Sequence, residues 1–184
     1  MTGWCGWPKL IAWCALLLPL TASAQVLKLL GGEEDTDKKD FVELEVKLPP
    51  RPKEGNLIPF EANAASRNSF FIDGPSITVA DDGTVRYTLV VKSPSGAENI
   101  SYEAIRCETR EQKIYAFGRR DGTWSNARTS EWREITGKGS PTTQNILHRY
   151  YFCPLGGAVR AAKDAINRLK YPLSISTPPG SNDR

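Results

Sequence analysis

Apolar and polar positions fall into three regimes along the chain. Residues 10–20, LIAWCALLLPL, form an apolar run broken only by Pro19. From about residue 58 to 135 the pattern has period two, cut into short runs by turn signals. Ser69 to Ile72 reads as an aromatic strand ended by Asp73-Gly74-Pro75, and Ser76 to Ala80 leads into Asp81-Asp82-Gly83. Asp-Gly between alternating runs is a strong hairpin signal. The next strand carries Val85, Tyr87, Leu89 and Val91 on one face and Arg86, Thr88 and Lys92 on the other. Ser93-Pro94-Ser95-Gly96 turns the chain again. Further strands fit 99–108 and 113–117, Asp121-Gly122 marks another turn before Trp124, and a last β-like stretch reaches 132–135.

The period then changes. Val159, Ala162, Ile166 and Leu169 share one stripe, with Arg160, Lys163, Asp164, Asn167 and Arg168 elsewhere, which predicts an amphipathic helix stopped by Pro172. Residues 144–152 suit a helix through Ile146, Leu147, Tyr150 and Tyr151, although the aromatics also suit a strand. The expected fold is α+β: an antiparallel β-meander, closing toward a sandwich or open barrel, with one or two C-terminal helices packed on it.

Upstream of the sheet the chain reads as a precursor. Lys9 gives a weakly positive start, the apolar run follows, and Thr21-Ala22-Ser23-Ala24 supplies the small-residue exit of a secretory signal, placing cleavage between Ala24 and Gln25. The run is much shorter than the roughly 20 residues of a membrane-spanning helix. Residues 31–40, GGEEDTDKKD, contain no apolar side chain, and 49–52 are Pro-Pro-Arg-Pro. Between them, residues 41–48 alternate, with Val42, Leu44, Val46 and Leu48 on one face. That pattern suits a half-buried strand or a segment that pairs late. The chain therefore divides into a signal peptide (1–24), a flexible polar and proline-rich leader (25–55), one β-rich globular domain (56–173) and a disordered tail (174–184).

Loss of the signal removes Cys5 and Cys14, leaving Cys107 and Cys153 of the four cysteines. In an oxidising compartment these have one intramolecular pairing open to them. Two unpaired buried thiols are the alternative, and no neighbouring cysteine or histidine gives either one zinc-ligand spacing. The net charge of +3, to which residues 1–24 contribute only Lys9, is far from that of a strongly basic nucleic-acid binder. No cofactor or metal is expected, and the mature chain holds no further run of membrane-spanning length.

Five short pieces carry a resemblance: Ser69-Phe70-Phe71-Ile72-Asp73, Tyr102-Glu103-Ala104-Ile105-Arg106-Cys107, Ala116-Phe117-Gly118-Arg119, Ser130-Glu131-Trp132-Arg133 and Tyr151-Phe152-Cys153-Pro154. Together they resemble the CNP-one-like family of uncharacterised proteobacterial exported proteins. The resemblance spans about half of the mature chain. It implies a bacterial envelope protein without an assigned activity, and it carries no catalytic residue across.

The search for chemistry is mostly negative. The sequence has no G-x-S-x-G elbow, no H-E-x-x-H helix, no S-x-x-K and no phosphate-cradling glycine loop. His148 is the sole histidine, which excludes any histidine pair. The constellation above background is arginine and tryptophan: Arg106, Arg110, Arg119, Arg120, Trp124, Arg128, Trp132 and Arg133. These residue types dominate binding hot spots, and arginine pairs bidentately with carboxylates and phosphates. Arg119, Arg120, Trp124, Arg128 and Trp132 are the candidate binding set. The structural alternative makes the tryptophans core and the arginines a solvated face paired with glutamates.

The favoured function is a non-catalytic envelope module in the periplasm, binding an envelope protein or an anionic cell-wall component. Secretion, or peripheral attachment to the outer membrane, is the alternative address. The competing function is a carboxylate-dependent hydrolase acting on cell-wall or lipid material through Glu103, Glu108 or Glu131 with Asp121, which would need two carboxyl groups facing one another in a cleft.

Overall fold

A computed structural model describes residues 41–62, 66–136 and 142–172. The signal segment with its Ala24/Gln25 cleavage point, residues 25–40 and the tail 174–184 lie outside the described residues.

The body is an open antiparallel meander. β1 (Leu57–Phe60), β2 (Ser69–Val79), β3 (Thr84–Lys92), β4 (Glu98–Arg106), β5 (Glu111–Gly118) and β6 (Trp124–Asn126) are hydrogen-bonded in chain order. A two-residue β7 (Arg133–Glu134) shares the outer edge of β5 with β6, pairing Glu111 with Glu134. Three of the hairpins repeat one geometry. In each, the amide of a left-handed glycine (Gly83, Gly96 or Gly122, φ 78 to 89°) donates three residues back, and the residue after it closes the ladder. This turn splices a type I bend to a glycine bulge, which is why Asp-Gly and Ser-Gly stand where they do. The β4–β5 connection differs. It begins at Cys107 and bends through Arg110, whose φ of 55° is unusual for a residue with a side chain.

Asp73-Gly74-Pro75 does not end a strand, because β2 runs through it with its register shifted between Asp73 and Thr78. The Ser76 hydroxyl replaces the missing ladder partners, donating to the Asp73 carbonyl at 2.7 Å and accepting from the Thr88 amide at 2.8 Å. A bulge accommodates proline inside a strand in this way.

The C-terminal part covers one face. α1 (Thr143–Ile146) is capped by the Thr142 hydroxyl and passes into a π-helical turn (Leu147–Phe152). Residues 144–152 are therefore helical. Leu147, Tyr151 and Phe152 are fully buried against Val85, Tyr87, Leu89 and Phe60, with Tyr87 and Phe152 rings 4.9 Å apart. Each such aromatic contributes about 1.5–3 kcal/mol on burial. α2 (Ala162–Lys170) lays Ala165 and Leu169 over the β1–β2 side. A Cys107–Cys153 disulfide (S–S 2.04 Å) fastens the end of β4 to the end of the π turn.

The opposite face is also covered. Residues 41–53, read from sequence as the end of a flexible leader, are extended and lie across it as a strap. Their alternation is inverted over residues 41–44, while Val46 is half-buried between exposed Glu45 and Lys47 as expected. Phe41 and Glu43 turn toward the sheet, whereas Val42, Leu44 and Leu48 are 74, 46 and 41% exposed. The reason lies in the surface they meet. Lys113 points out of this face and draws Glu43 inward, while Arg86 takes up strap carbonyls. Arg86 and Thr88, expected to face water, are consequently buried.

Candidate functional site

The strap is held chiefly by side chains, with no backbone ladder to the sheet. At the β2–β3 hairpin, Asp82 accepts from the Thr84 hydroxyl (2.6 Å) and amide (3.0 Å), the usual use of an acid in such a turn. Its other oxygen accepts from the Leu44 amide at 3.0 Å and pairs with Arg86 at 2.7 Å. Arg86 then donates to two consecutive strap carbonyls, Leu44 (2.9 Å) and Glu45 (3.0 Å). One arginine and one aspartate thus read an amide and two carbonyls of an extended chain. Burial alone would raise the Asp82 carboxyl, but Thr84, the Leu44 amide and the Arg86 charge together hold it below the ordinary carboxylate value.

Two further anchors recognise side chains. Glu43 accepts from Lys113 Nζ at 2.7 Å and from the Tyr115 hydroxyl at 2.6 Å. Burial, then the neighbouring Glu43 carboxylate, pushes the Tyr115 phenol far up, so it stays a donor. Phe41 is sandwiched by chemistry: the Arg106 guanidinium stands 3.9 Å from its ring centre, and Trp132 meets it edge-on at 5.7 Å. Farther along, Trp124 Nε1 donates to the Pro49 carbonyl at 2.7 Å, and Arg51 donates to the Arg119 carbonyl. The strap ends where Glu54 pairs with Lys92.

The residues singled out from sequence divide accordingly. Trp124 and Trp132 are half-buried beneath the strap, 6.3 Å from Tyr102 and 5.7 Å from Lys113 respectively. Arg106 joins them. Arg119 is exposed at the β5–β6 turn and donates to Ser125 at 3.0 Å. Arg120, Arg128 and Arg133 are exposed as well, and Arg110 occupies the β4–β5 bend. The structure therefore gathers the tryptophans with Arg106 on one face and leaves the other arginines around its margin.

The proposed carboxylates do not share one environment. Glu103 is 3% exposed on the helix-covered side and accepts from Tyr87, Ser101 and Gln144 at 3.0, 2.6 and 3.1 Å. Glu108, Glu131 and Asp121 are exposed. Asp121 is committed to its own turn, accepting from Thr123. His148 is buried, with Nε2 3.3 Å from the Cys107 carbonyl, and burial lowers its affinity for a proton. No group of three or more metal-ligating side chains occurs among the described residues, and no helix there is long and apolar enough to cross a membrane.

Arg86, Asp82, Lys113, Tyr115 and Glu43 are the residues that sequence reasoning missed. A signal existed. β3 reads Thr-Val-Arg-Tyr-Thr-Leu-Val-Val, whose outward set mixes Arg86 and Thr88 with the apolar Val90, a mixture that suits a covered face better than a solvated one.

The geometry defines a distinct class: an open meander with helices on one side and, on the other, an extended strap of its own chain gripped by arginine, tryptophan and acid. A model of the CNP1-like family matches residues 36–170, a span that takes in the strap, all seven strands and both helices. The chain belongs to the CNP1-like family. It is similar to "Cryptic neisserial protein 1" of Neisseria gonorrhoeae, 26% identical over 153 residues, covering 74% of this chain and 75% of that protein. No solved structure matches.

Proposed function

We propose that the protein is an exported, non-catalytic binding module of the bacterial envelope, working in the periplasm. The observation that carries this reading is the strap-bearing face. Its arginine and tryptophan side chains are arranged to hold an extended polypeptide by its backbone carbonyls. The address draws support from the signal-like residues 1–24 and from Cys107 and Cys153 lying at bonding distance, which suits an oxidising compartment. The hydrolase reading is the weaker one. Glu103 is spent on three structural hydrogen bonds, and its supposed partners stand in solvent.

The test is photo-crosslinking in living cells from probes placed at Arg120 and Arg128, followed by mass spectrometry. Capture of one envelope protein or envelope polymer, reproducible from both positions, is the expected result. A cytoplasmic, uncleaved chain with both thiols alkylatable would refute the address. Turnover of a cell-wall or lipid substrate that is lost on Glu131→Gln would refute the non-catalytic role.

A further inference from the structure

We propose that the strap is an exchangeable occupant. On this view the face beneath it is a binding site for an extended segment of a partner protein that carries an aromatic residue two positions before a glutamate. The proposal rests on the binding reading above and names the ligand class for it.

The specificity follows from which strap atoms are read. Leu44, Glu45 and Pro49 are recognised through main-chain groups that any sequence offers. Apart from Arg51 at the far end, which donates to the Arg119 carbonyl, two side chains are recognised. Phe41 is held between Arg106 and Trp132, and Glu43 between Lys113 and Tyr115. Val42, Leu44 and Leu48 point outward and contribute nothing to the grip. The face thus selects aromatic-x-Glu and tolerates other residues at the outward positions.

The fastening also suits release. A structural strand would be zipped in by ladder hydrogen bonds and by full burial of one apolar side, whereas this one has no ladder and its best-covered apolar side chains, Phe41 and Val46, are only half-buried. Its carbonyls at Leu44 and Glu45 belong to exposed residues that water can take over. The receiving side chains are themselves preset by the sheet: Asp82 by Thr84, and Arg86 by Asp82. A site organised independently of its occupant accepts a second occupant of the same chemistry at low ordering cost.

The experiment uses a fluorescein-labelled synthetic peptide with the sequence of residues 41–51, titrated by polarisation into the full chain and into its Glu43→Lys variant. In that variant the strap places a cation against Lys113 and so competes poorly. The expected result is saturable binding in the micromolar range to the variant and about tenfold weaker binding to wild type. A further loss of at least about tenfold is expected on Lys113→Met or when the peptide's glutamate at position 43 is replaced by glutamine. Should Glu43→Lys fail to fold, Phe41→Ala loosens the other anchor and serves the same purpose.

Absence of binding to either strap variant overturns the proposal, whether the strap stays seated or the bared face takes no peptide. A stable wild-type dimer that exchanges straps between differently tagged copies also overturns it, by giving the face to a second copy. The two readings fail separately. A partner captured in cells that excess peptide does not compete away defeats this proposal and leaves the binding module standing. Peptide binding without any captured partner does the reverse.

Discussion

Arg86 and Asp82 form the most buried ion pair described, with side chains 7% and 1% exposed and 2.7 Å between them. Arg86→Met removes one partner and leaves the Asp82 carboxylate enclosed without its counter-charge. Breaking a buried pair from one side costs about 3–5 kcal/mol, because the remaining charge is uncompensated. Removing both partners is less costly, so the Arg86→Met/Asp82→Asn double variant should lose less than the two singles together, with a coupling of about 2 kcal/mol. Urea unfolding with the disulfide intact, followed by circular dichroism, measures all four corners of this cycle. Because Arg86 also holds two strap carbonyls, Arg86→Met should separately expose the exposed Lys47 peptide bond to trypsin under native conditions. A cost under about 1 kcal/mol, or strictly additive singles, would refute the claim that this pair organises the strap face.

Other perturbations report on other layers. Trp124→Phe removes the bond to Pro49 and should cost about 1 kcal/mol while raising strap proteolysis; equal digestion rates would count against it. Gly118→Ala would place a methyl 3.0 Å from Ile100 Cβ and Cγ2, costing about 1–3 kcal/mol, and Ile100→Ala should recover part of that loss in thermal melts. Replacing Cys107 and Cys153 together with alanine opens a loop spanning 46 positions and should cost about 4 kcal/mol by urea titration. Burial lowers the folded-state pKa of His148, so the unfolded chain binds its proton first. Its contribution is therefore complete above about pH 6.5 and lost as pH falls below that value, and His148→Gln should flatten this part of a Tm-versus-pH curve.

Much of the sheet was legible because its turns are chemically explicit. Asp81-Asp82-Gly83, Ser93 to Gly96 and Asp121-Gly122 each put glycine at the left-handed position, and the structure turns at all three. The amphipathic stripe through Ala162 and Leu169 was equally plain. Asp73-Gly74-Pro75 was misread because a terminator and a bulge use the same residues; only the Ser76 side chain, bonded to Thr88 on the next strand, separates them. The strap was misread for a deeper reason. Alternation tells which residues share a side, but the environment decides which side is buried, and here a cationic sheet face reversed the ordinary preference. The tryptophans stood out among the arginines in the sequence, yet the carbonyl that Trp124 touches lies 75 positions away, beyond the reach of any local pattern.

The separation of strap from sheet along the chain also orders events in biosynthesis. A ribosome completes residues 41–53 long before β3 and β5, whose side chains stand 42 and 70 positions downstream of their strap partners. The strap is therefore made early and can be seated only once β5 and Trp132 exist, and until then the growing meander carries that side bare. That side presents Arg86, Lys113 and Thr88, which water solvates readily, beside the aromatic Tyr102, Trp124 and Trp132, and the greasier side receives its own cover later still, from residues 143–170. The charged and hydroxylated part of that face lessens the aggregation hazard that a bare sheet side carries before its cover is seated.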